Sequence, residues 1–234
     1  MENYLDTQFD KSFDEIDELT WYPWVGKNFT TTSPKVLILG LSQYAVDEDK
    51  EYCEETEQGF LNKEINREFL FENIAILEEK SKFYKGLYST YAKDDTDEAK
   101  YKLLENIAFY NFFQSVDQKV SGNKRYKKEY LQAWNIFDQV TDIIQPDICI
   151  FHGKSAHEHM HFYFNSQNIP FKWEDVEINN AKLKINGTIP VIGSFEKKKK
   201  TQFLFCQHTS MAYSVDQWQD LIFKNFPELK KIQE

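Results

Sequence analysis

The amino-acid sequence predicts an α/β protein, a three-layer α/β/α sandwich with a central, mainly parallel sheet of four strands. Four short apolar runs rich in β-branched and aromatic residues predict the strands, at residues 36–39, 107–110, 148–151 and 203–206. Segments in which apolar residues recur at helical spacing separate most of these runs. Strands that alternate with helices in this way form a mainly parallel sheet with helices on both faces.

The first predicted strand organises the expected site. Residues 36–39 are all apolar, as in a strand that is buried on both faces of a sheet. Gly40 follows them and permits a sharp turn. The next polar residues, Ser42, Gln43 and Tyr44, should then fall at the carboxyl end of the strand. Open α/β sheets bind their ligands at this edge, so the sequence predicts a pocket there.

The rest of the chain is predicted to form one domain around this strand. Four segments have helical spacing: residues 61–80 (one long helix or two), 130–144, 155–164 and 216–226. Residues 173–206 alternate short apolar runs with turn residues and predict strand-turn-strand structure. The acidic residues 1–20 are expected to form a short helix or a loose arm, followed by a single domain at residues 21–234.

The charge balance limits the partners that the chain can have. The sequence holds 28 lysines and arginines against 38 aspartates and glutamates, a net charge of -10. This excess disfavours strong non-specific attraction to polyanions and to anionic lipid. Because charges farther apart than about 8–10 Å are largely screened at physiological salt, a local cluster of lysines can still contact phosphate.

The cysteines and the apolar runs indicate where the protein works. Cys53, Cys149 and Cys206 lie far apart in the sequence and suggest neither a disulfide framework nor a cysteine-ligated cluster. Residues 1–17 lack the features of a signal peptide, and no apolar run approaches the roughly 18 residues of a membrane span. We therefore expect a cytoplasmic protein with no membrane association and no cofactor.

The residues at the four predicted strand ends share a pattern with a known superfamily. They read Gly40-Leu41-Ser42-Gln43-Tyr44, Asn111, His152-Gly153-Lys154-Ser155-Ala156 and His208-Thr209-Ser210. As a set, they resemble the motifs of the uracil-DNA glycosylase superfamily. Its best-known branch has Gly-Gln-Asp-Pro-Tyr, a strand-terminal Asn, Trp-Gly-x-x-Ala and His-Pro-Ser at the corresponding places. The resemblance spans roughly residues 21–226.

The resemblance implies a monofunctional DNA glycosylase. Such an enzyme flips a base, here uracil or another modified pyrimidine, from duplex or single-stranded DNA into a pocket and hydrolyses its N-glycosidic bond. By resemblance, His208 donates to the leaving base, Asn111 reads its Watson–Crick edge, and the loop that begins at Gly40 holds the attacking water. The residues expected to contact the base are Gly40, Leu41, Gln43, Tyr44, Asn111 and Trp24, with Phe60 as a further stacking candidate.

Contacts to the DNA are expected around the pocket. The resemblance implies five such residues: Lys154, Ser155, Ser210, and Met211 or Tyr213, the last two where the family places a side chain that wedges into the duplex. Lys198 and Lys199 belong to a run of four lysines, for which two interpretations remain open. One is a loop beside His208 that contacts phosphate, and the other is a solvated hairpin tip.

The first motif departs from the family pattern. Ser42 stands where the best-known branch has its catalytic aspartate, while Leu41 and Gln43 replace a polar residue and a proline. A serine hydroxyl can orient water but cannot balance the positive charge that develops on the sugar. Asp47 and the two acidic residues after it could supply that charge, and a solvated acidic loop is the alternative reading of this segment. The predicted catalytic residues are Ser42, Asp47 and His208.

The sequence is also compatible with functions other than that of a glycosylase. The loss of the aspartate would permit a catalytically inactive module of the same fold that binds a base, nucleic acid or a protein partner, with phage defence as one setting. A nucleotide-processing hydrolase with no DNA partner is a third class. His157 and His161 share one face of a predicted helix, but no third ligand lies at suitable spacing, so ordinary solvated histidines are favoured over a metal site.

Overall fold

The structure is a computed structural model that describes residues 1–44, 53–77, 81–118, 124–178, 181–211 and 213–233. The strands in these residues are β1 (Trp24–Val25), β2 (Val36–Gly40), β3 (Gln43–Tyr44), β4 (Ile107–Asn111), β5 (Val116–Asp117), β6 (Ile148–His152), β7 (Phe171–Asp175), β8 (Glu177–Ile178), β9 (Ala181–Lys182), β10 (Val191–Glu196) and β11 (Lys200–Cys206). The α-helices are α1 (Asp10–Phe13), α2 (Glu54–Gly59), α3 (Ile65–Phe71), α4 (Lys82–Tyr91), α5 (Asp97–Asn106), α6 (Lys127–Ile144), α7 (Met160–Ser166) and α8 (Val215–Asn225).

The main sheet has seven strands in the order β1-β4-β2-β6-β11-β10-β7. Strands β4, β2, β6 and β11 are parallel to one another, whereas β1, β10 and β7 pair antiparallel at the two sides. The predicted α/β class is confirmed, but the prediction of a four-stranded sheet is wrong because the sheet is larger and mixed. The additional strands are short or lie beside the edge, where one face of a strand is exposed and the apolar pattern is weak.

Helices pack on both faces of the sheet because its central strands are apolar on both sides. In β2, Val36 and Ile38 point into a cluster with residues of α4, α5 and α8. Leu37 and Leu39 point into a second cluster, on the opposite face, with residues of α6 and α7. Alternate residues of a strand face opposite sides of a sheet, so each central strand contributes to both clusters. Burial on both sides holds the strand ends in a fixed relative position.

The segment before the sheet packs against this core. Residues 1–20 include α1, and Phe13 and Ile16 are buried in the α6 cluster. Leu5 forms an isolated antiparallel bridge with Gly26. The region predicted as one long helix or two contains α3, which continues into a turn of π-helix at Glu72–Ile76.

A small second sheet builds the edge where the central parallel strands end. After β2, the chain passes through Leu41 and Ser42 into β3, and β3 pairs in parallel with β5, which follows β4. Tyr44 is thereby in register with Asp117. Among the described helices, none combines the length and the apolar character needed to cross a membrane.

Candidate functional site

Three strand ends that are distant in the sequence meet at one cavity. Ser42 follows β2, Asn111 ends β4 and His208 follows β11, and all three line a cavity of about 450 Å³. This volume lies within the usual range of small-molecule sites. Half of the remaining lining residues are aromatic: Tyr44, Phe60, Phe69, Phe83 and Tyr84. The site therefore combines apolar walls with a few polar groups, which suits a planar ring with a polar edge.

The Asn111 amide is held in place by its neighbours. Gly40 is its partner in the β2–β4 register, and a Cβ atom at position 40 would lie 2.2 Å from Asn111 Oδ1. Position 40 therefore requires a glycine, because any side chain there would displace the Asn111 amide. Asn111 Nδ2 donates to Oδ1 of the fully buried Asn66 at 2.9 Å, and Gln43 Nε2 lies 3.4 Å from the same oxygen.

The hydrogen bonds of His208 define its tautomer. The backbone N–H of Ser210 donates to His208 Nδ1 at 3.3 Å, and Ser210 Oγ lies 2.6 Å from the same nitrogen. Since a backbone N–H can only donate, Nδ1 is an acceptor and the ring proton lies on Nε2. Burial lowers the pKa of His208 to about 4, so the ring is neutral at ordinary pH. His208 thus offers a neutral N–H donor.

Ser42 is paired with a buried carboxylate. Its Oγ donates to Asp117 Oδ2 at 2.6 Å, and Asp117 is only 2% exposed. The other carboxylate oxygen forms an ion pair with Arg125 at 2.6 Å. Because the Ser42 hydroxyl proton is directed to Asp117, Ser42 can act only as an acceptor toward other groups.

Sequence reasoning missed several residues of this site, among them Asp117, Asn66, Phe69, Phe83 and Tyr84. Asp117 begins a segment rich in lysine, a composition that is typical of a solvated loop. The available signal was its position only a few residues after the strand-terminal Asn111. Burial raises the pKa of Tyr84 to about 12, so its phenol is neutral at ordinary pH.

Most predicted base-contacting residues lie at the cavity, and two do not. The cavity lining includes Ser42, Gln43, Tyr44, Phe60, Asn111, His208 and Ser210, with Gly40 beside the Asn111 amide. Trp24 is instead a core residue, stacked on Phe71 with its Nε1 donating to the Leu104 carbonyl. Leu41 is absent from the lining, and its side chain packs where a Cβ atom on Gly153 would stand. The expected base contacts of Trp24 and Leu41 are therefore corrected.

The lysine run lies at the opposite edge of the sheet, which corrects the interpretation as a loop beside His208. Lys198 and Lys199 precede β11, whereas His208 follows it. A strand of this length separates the two by about 20 Å. Lys199 pairs with Asp147 at 2.5 Å, and Lys198 Nζ lies 3.5 Å from the Asp142 carbonyl. These side chains contact acidic residues of the same edge.

The other predicted DNA contacts have different positions. Lys154 and Ser155 begin a 3-10 helix after β6 and are not part of the cavity lining. Tyr213 stacks on Trp218, and its hydroxyl lies 3.1 Å from Thr90 Oγ1, so it is packed into the structure rather than projecting as a wedge. Met211 is 64% exposed. Asp47 and the two acidic residues after it lie outside the described residues.

The described residues contain no group of three or more histidine, cysteine or acidic side chains that could hold a metal ion. The cavity offers an acceptor hydroxyl backed by a carboxylate, a fixed amide and a neutral imidazole N–H. No protein-family model matches the chain, and no curated protein matches it.

Proposed function

We propose that the protein is a monofunctional DNA glycosylase that takes a flipped, modified base into the cavity and hydrolyses its N-glycosidic bond. The convergence of Ser42, Asn111 and His208 on one cavity carries this proposal. The superfamily resemblance assigned the water, the base edge and the leaving group to these three strand ends. The four parallel strands at the centre of the sheet support the proposed relationship to the uracil-DNA glycosylase superfamily.

In this reaction the oxygen of a water molecule bonds to C1′ of the deoxyribose, and the bond from C1′ to the base nitrogen breaks. The bonding electron pair leaves with the base, so negative charge develops on the base and positive charge on the sugar. The His208 Nε2–H would donate to the base oxygen that receives this charge. One preorganised donor of this kind typically contributes about 3–4 kcal/mol to the transition state. A neutral imidazole provides the donor without giving up its own proton.

Ser42 and Asp117 would serve the sugar side of the reaction. Ser42 accepts a hydrogen bond from the attacking water because its own proton is committed to Asp117. The water proton passes to Ser42 as the serine proton moves toward the carboxylate. Asp117 also places a negative charge near the reacting centre, separated from it by the Ser42 hydroxyl group. It can therefore take the place of the aspartate that position 42 lacks.

The Asn111 amide would read the base. One of its N–H groups is engaged by Asn66, which leaves its second N–H and its carbonyl for the ligand. This pair matches an edge that offers an acceptor beside a donor, as uracil does. The ring of the base would lie among Phe60, Phe69 and Phe83.

A strand-cleavage assay tests the proposal. Purified protein is incubated with duplex and single-stranded oligonucleotides that carry uracil, hypoxanthine, hydroxymethylcytosine or glucosylated hydroxymethylcytosine, and abasic sites are then cleaved with alkali. We expect cleavage of at least one substrate, and a loss of about 10²-fold in His208→Ala and in Asn111→Ala. His161→Ala, a change to an exposed histidine on α7, is the matched control and should keep the full rate. Equal rates in all four proteins would contradict the assigned roles.

A second candidate, the catalytically inactive binding module, is favoured by the serine at position 42 and by the neutralisation of Asp117 by Arg125. It predicts that the protein binds the same oligonucleotides and cleaves none. The assay above therefore separates the two candidates.

A further inference from the structure

A second groove continues from the cavity along helix α4. It measures about 340 Å³ and lies between α4 and residues 209–211, 213 and 215. Lys82 and Ser210 line both the groove and the cavity, so the two are contiguous. Its other lining residues are Lys85, Gly86, Ser89, Thr209, Met211, Tyr213 and Val215.

The groove presents two exposed lysines on one face of α4. Lys82 and Lys85 are three residues apart on α4 and therefore lie on the same helix face, with Ser89 one turn further. Both lysines are exposed, and neither forms an ion pair within the described part of the chain. The lysines before β11 differ in this respect, because Lys197 and Lys199 are paired with aspartates.

Close packing fixes the groove relative to the reacting group. A Cβ atom at Gly86 would lie 2.7 Å from Thr209 Cβ, so the glycine allows the His208 loop to approach α4. Thr209 Oγ1 donates to the Phe83 carbonyl at 2.8 Å and ties the loop to the helix. The two lysines therefore stand in a fixed relation to His208.

We propose that this groove binds the sugar-phosphate backbone of the strand whose base enters the cavity, with single-stranded DNA as its preferred form. The inference rests on the proposed function and deepens it by naming the path of the substrate strand. Lys82 and Lys85 contact two phosphates, and the exposed Met211 contacts the neighbouring sugar or base. The occupant follows from charge complementarity and from continuity with the cavity.

The charge distribution favours a single strand over a duplex. Duplex DNA carries one charge per about 1.7 Å of axis, twice the density of one strand, and binding it requires many cationic contacts. Both arginines of the chain are engaged internally, Arg67 with Asp10 and Arg125 with Asp117. With a net charge of -10, the protein would repel the phosphates of a second strand.

Fluorescence anisotropy tests the inference independently of catalysis. The probe is a labelled single-stranded 15-mer with a tetrahydrofuran abasic analogue, which cannot be hydrolysed. The double variant Lys82→Gln/Lys85→Gln is compared with Lys198→Gln/Lys199→Gln, which removes the same charge at the opposite edge. We expect the first variant to bind about tenfold more weakly at 0.1 M salt and to reduce the slope of log K against log salt by about 1.4, that is 0.7 for each of two phosphates. The second variant should match the wild type, and the wild type should bind the 15-mer more tightly than its duplex.

The possible results separate this inference from the proposed function. If the wild type cleaves no substrate but shows the Lys82 and Lys85 dependence, the groove stands and the glycosylase proposal fails. An unchanged affinity and slope in the Lys82→Gln/Lys85→Gln variant would overturn the groove, whatever the activity. An equal loss in both double variants, or tighter binding of the duplex, would overturn it as well. Thermal melting of each variant confirms that it is folded.

Discussion

The two edges of the parallel strands carry polar residues that are used in different ways. At the carboxyl edge, Ser42, Asn111 and His208 converge on a cavity. At the amino edge, Lys197 and Lys199 are paired with aspartates. Both edges are rich in polar groups. What distinguishes the two edges is that the three polar residues of the first line a cavity, whereas the two lysines of the second form ion pairs with aspartates.

One pair of side chains from each edge shows how burial determines the effect of a mutation. Ser42 and Asp117 lie 2.6 Å apart and are 7% and 2% exposed. Lys199 and Asp147 are equally close at 2.5 Å, but their side chains are 33% and 41% exposed. A buried polar group that loses its partner pays the full cost of desolvation, whereas an exposed group turns to water. Mutation should therefore affect the two edges to very different extents.

The largest effect is expected for the Ser42–Asp117 pair. Ser42→Ala and Asp117→Asn should each lower the strand-cleavage rate by about 10²-fold, since the water loses either its acceptor or the charge behind it. The double variant should lose no more than the stronger single variant, because groups that act as a unit are not additive. Single-turnover rates on the best substrate measure this, with the affinity for the abasic 15-mer as the readout that should stay unchanged.

A purely structural role for Asp117 would give a different pattern. In that case affinity, melting temperature and rate would fall together, and the exchange variant Ser42→Asp/Asp117→Ser would be inactive. If Asp117 acts through Ser42, the exchange keeps a carboxylate beside a hydroxyl and should be more active than either single variant. Losses in the double variant that simply add would contradict the coupled role.

A smaller effect per residue is expected from the buried histidines of the carboxyl edge. Burial lowers the pKa of His152 to about 3 and that of His208 to about 4, below the ordinary value of 6.5. The unfolded chain therefore binds more protons than the folded protein between pH 6.5 and about 4, and stability falls as the pH falls through this range. At pH 5.5 each neutral histidine costs about 1.4 kcal/mol, an upper value for the partly exposed His208.

Chemical denaturation at pH 7.5 and pH 5.5 measures this loss, which should reach about 3 kcal/mol for the two histidines together. The pKa of His157 is also lowered by burial and adds to the loss with the same sign. His208→Asn should remove part of the pH dependence. A free energy of unfolding that is constant over this interval would mean that neither ring is kept neutral by the fold.

The central strands could be predicted from the sequence because each is apolar on both faces. Their burial needs no partner other than the helices that the sequence also indicates. The two-residue β1 and the largely exposed β7 could not, because a short or edge strand lacks a continuous apolar run. The pairing of β3 with β5 depends on contacts between segments distant in the sequence, which local sequence patterns do not indicate.

The residues of the site also fall into those that could be predicted from the sequence and those that could not. Ser42, Asn111 and His208 were predictable because each follows a strand that the apolar pattern identifies. Asp117 was not, because an aspartate in a charged segment looks solvated until Arg125 and Ser42 are brought to it by the fold. The position of the lysine run relative to His208 could not be predicted from the sequence. The two are close in the sequence, but the full length of β11 lies between them.

The smallest effect is expected at the amino edge, for the Lys199–Asp147 pair. Lys199→Met keeps the packing of the aliphatic part of the side chain. In the wild type the Lys35 N–H donates to Asp147 Oδ2 at 2.7 Å, and Asp147→Asn keeps an oxygen that can accept this hydrogen bond. In a double-mutant cycle on the free energy of unfolding, the coupling should be at most about 1 kcal/mol and should decrease in 1 M salt, as for exposed ion pairs. None of the three variants should change the cleavage rate or the affinity for the 15-mer. A coupling above about 2 kcal/mol, which is characteristic of buried pairs, would show that burial does not separate the two edges. A lower cleavage rate would instead place part of the site at the amino edge. Side chains that pair only with each other at that edge do not contact a ligand at the carboxyl edge, so their loss should not change the rate.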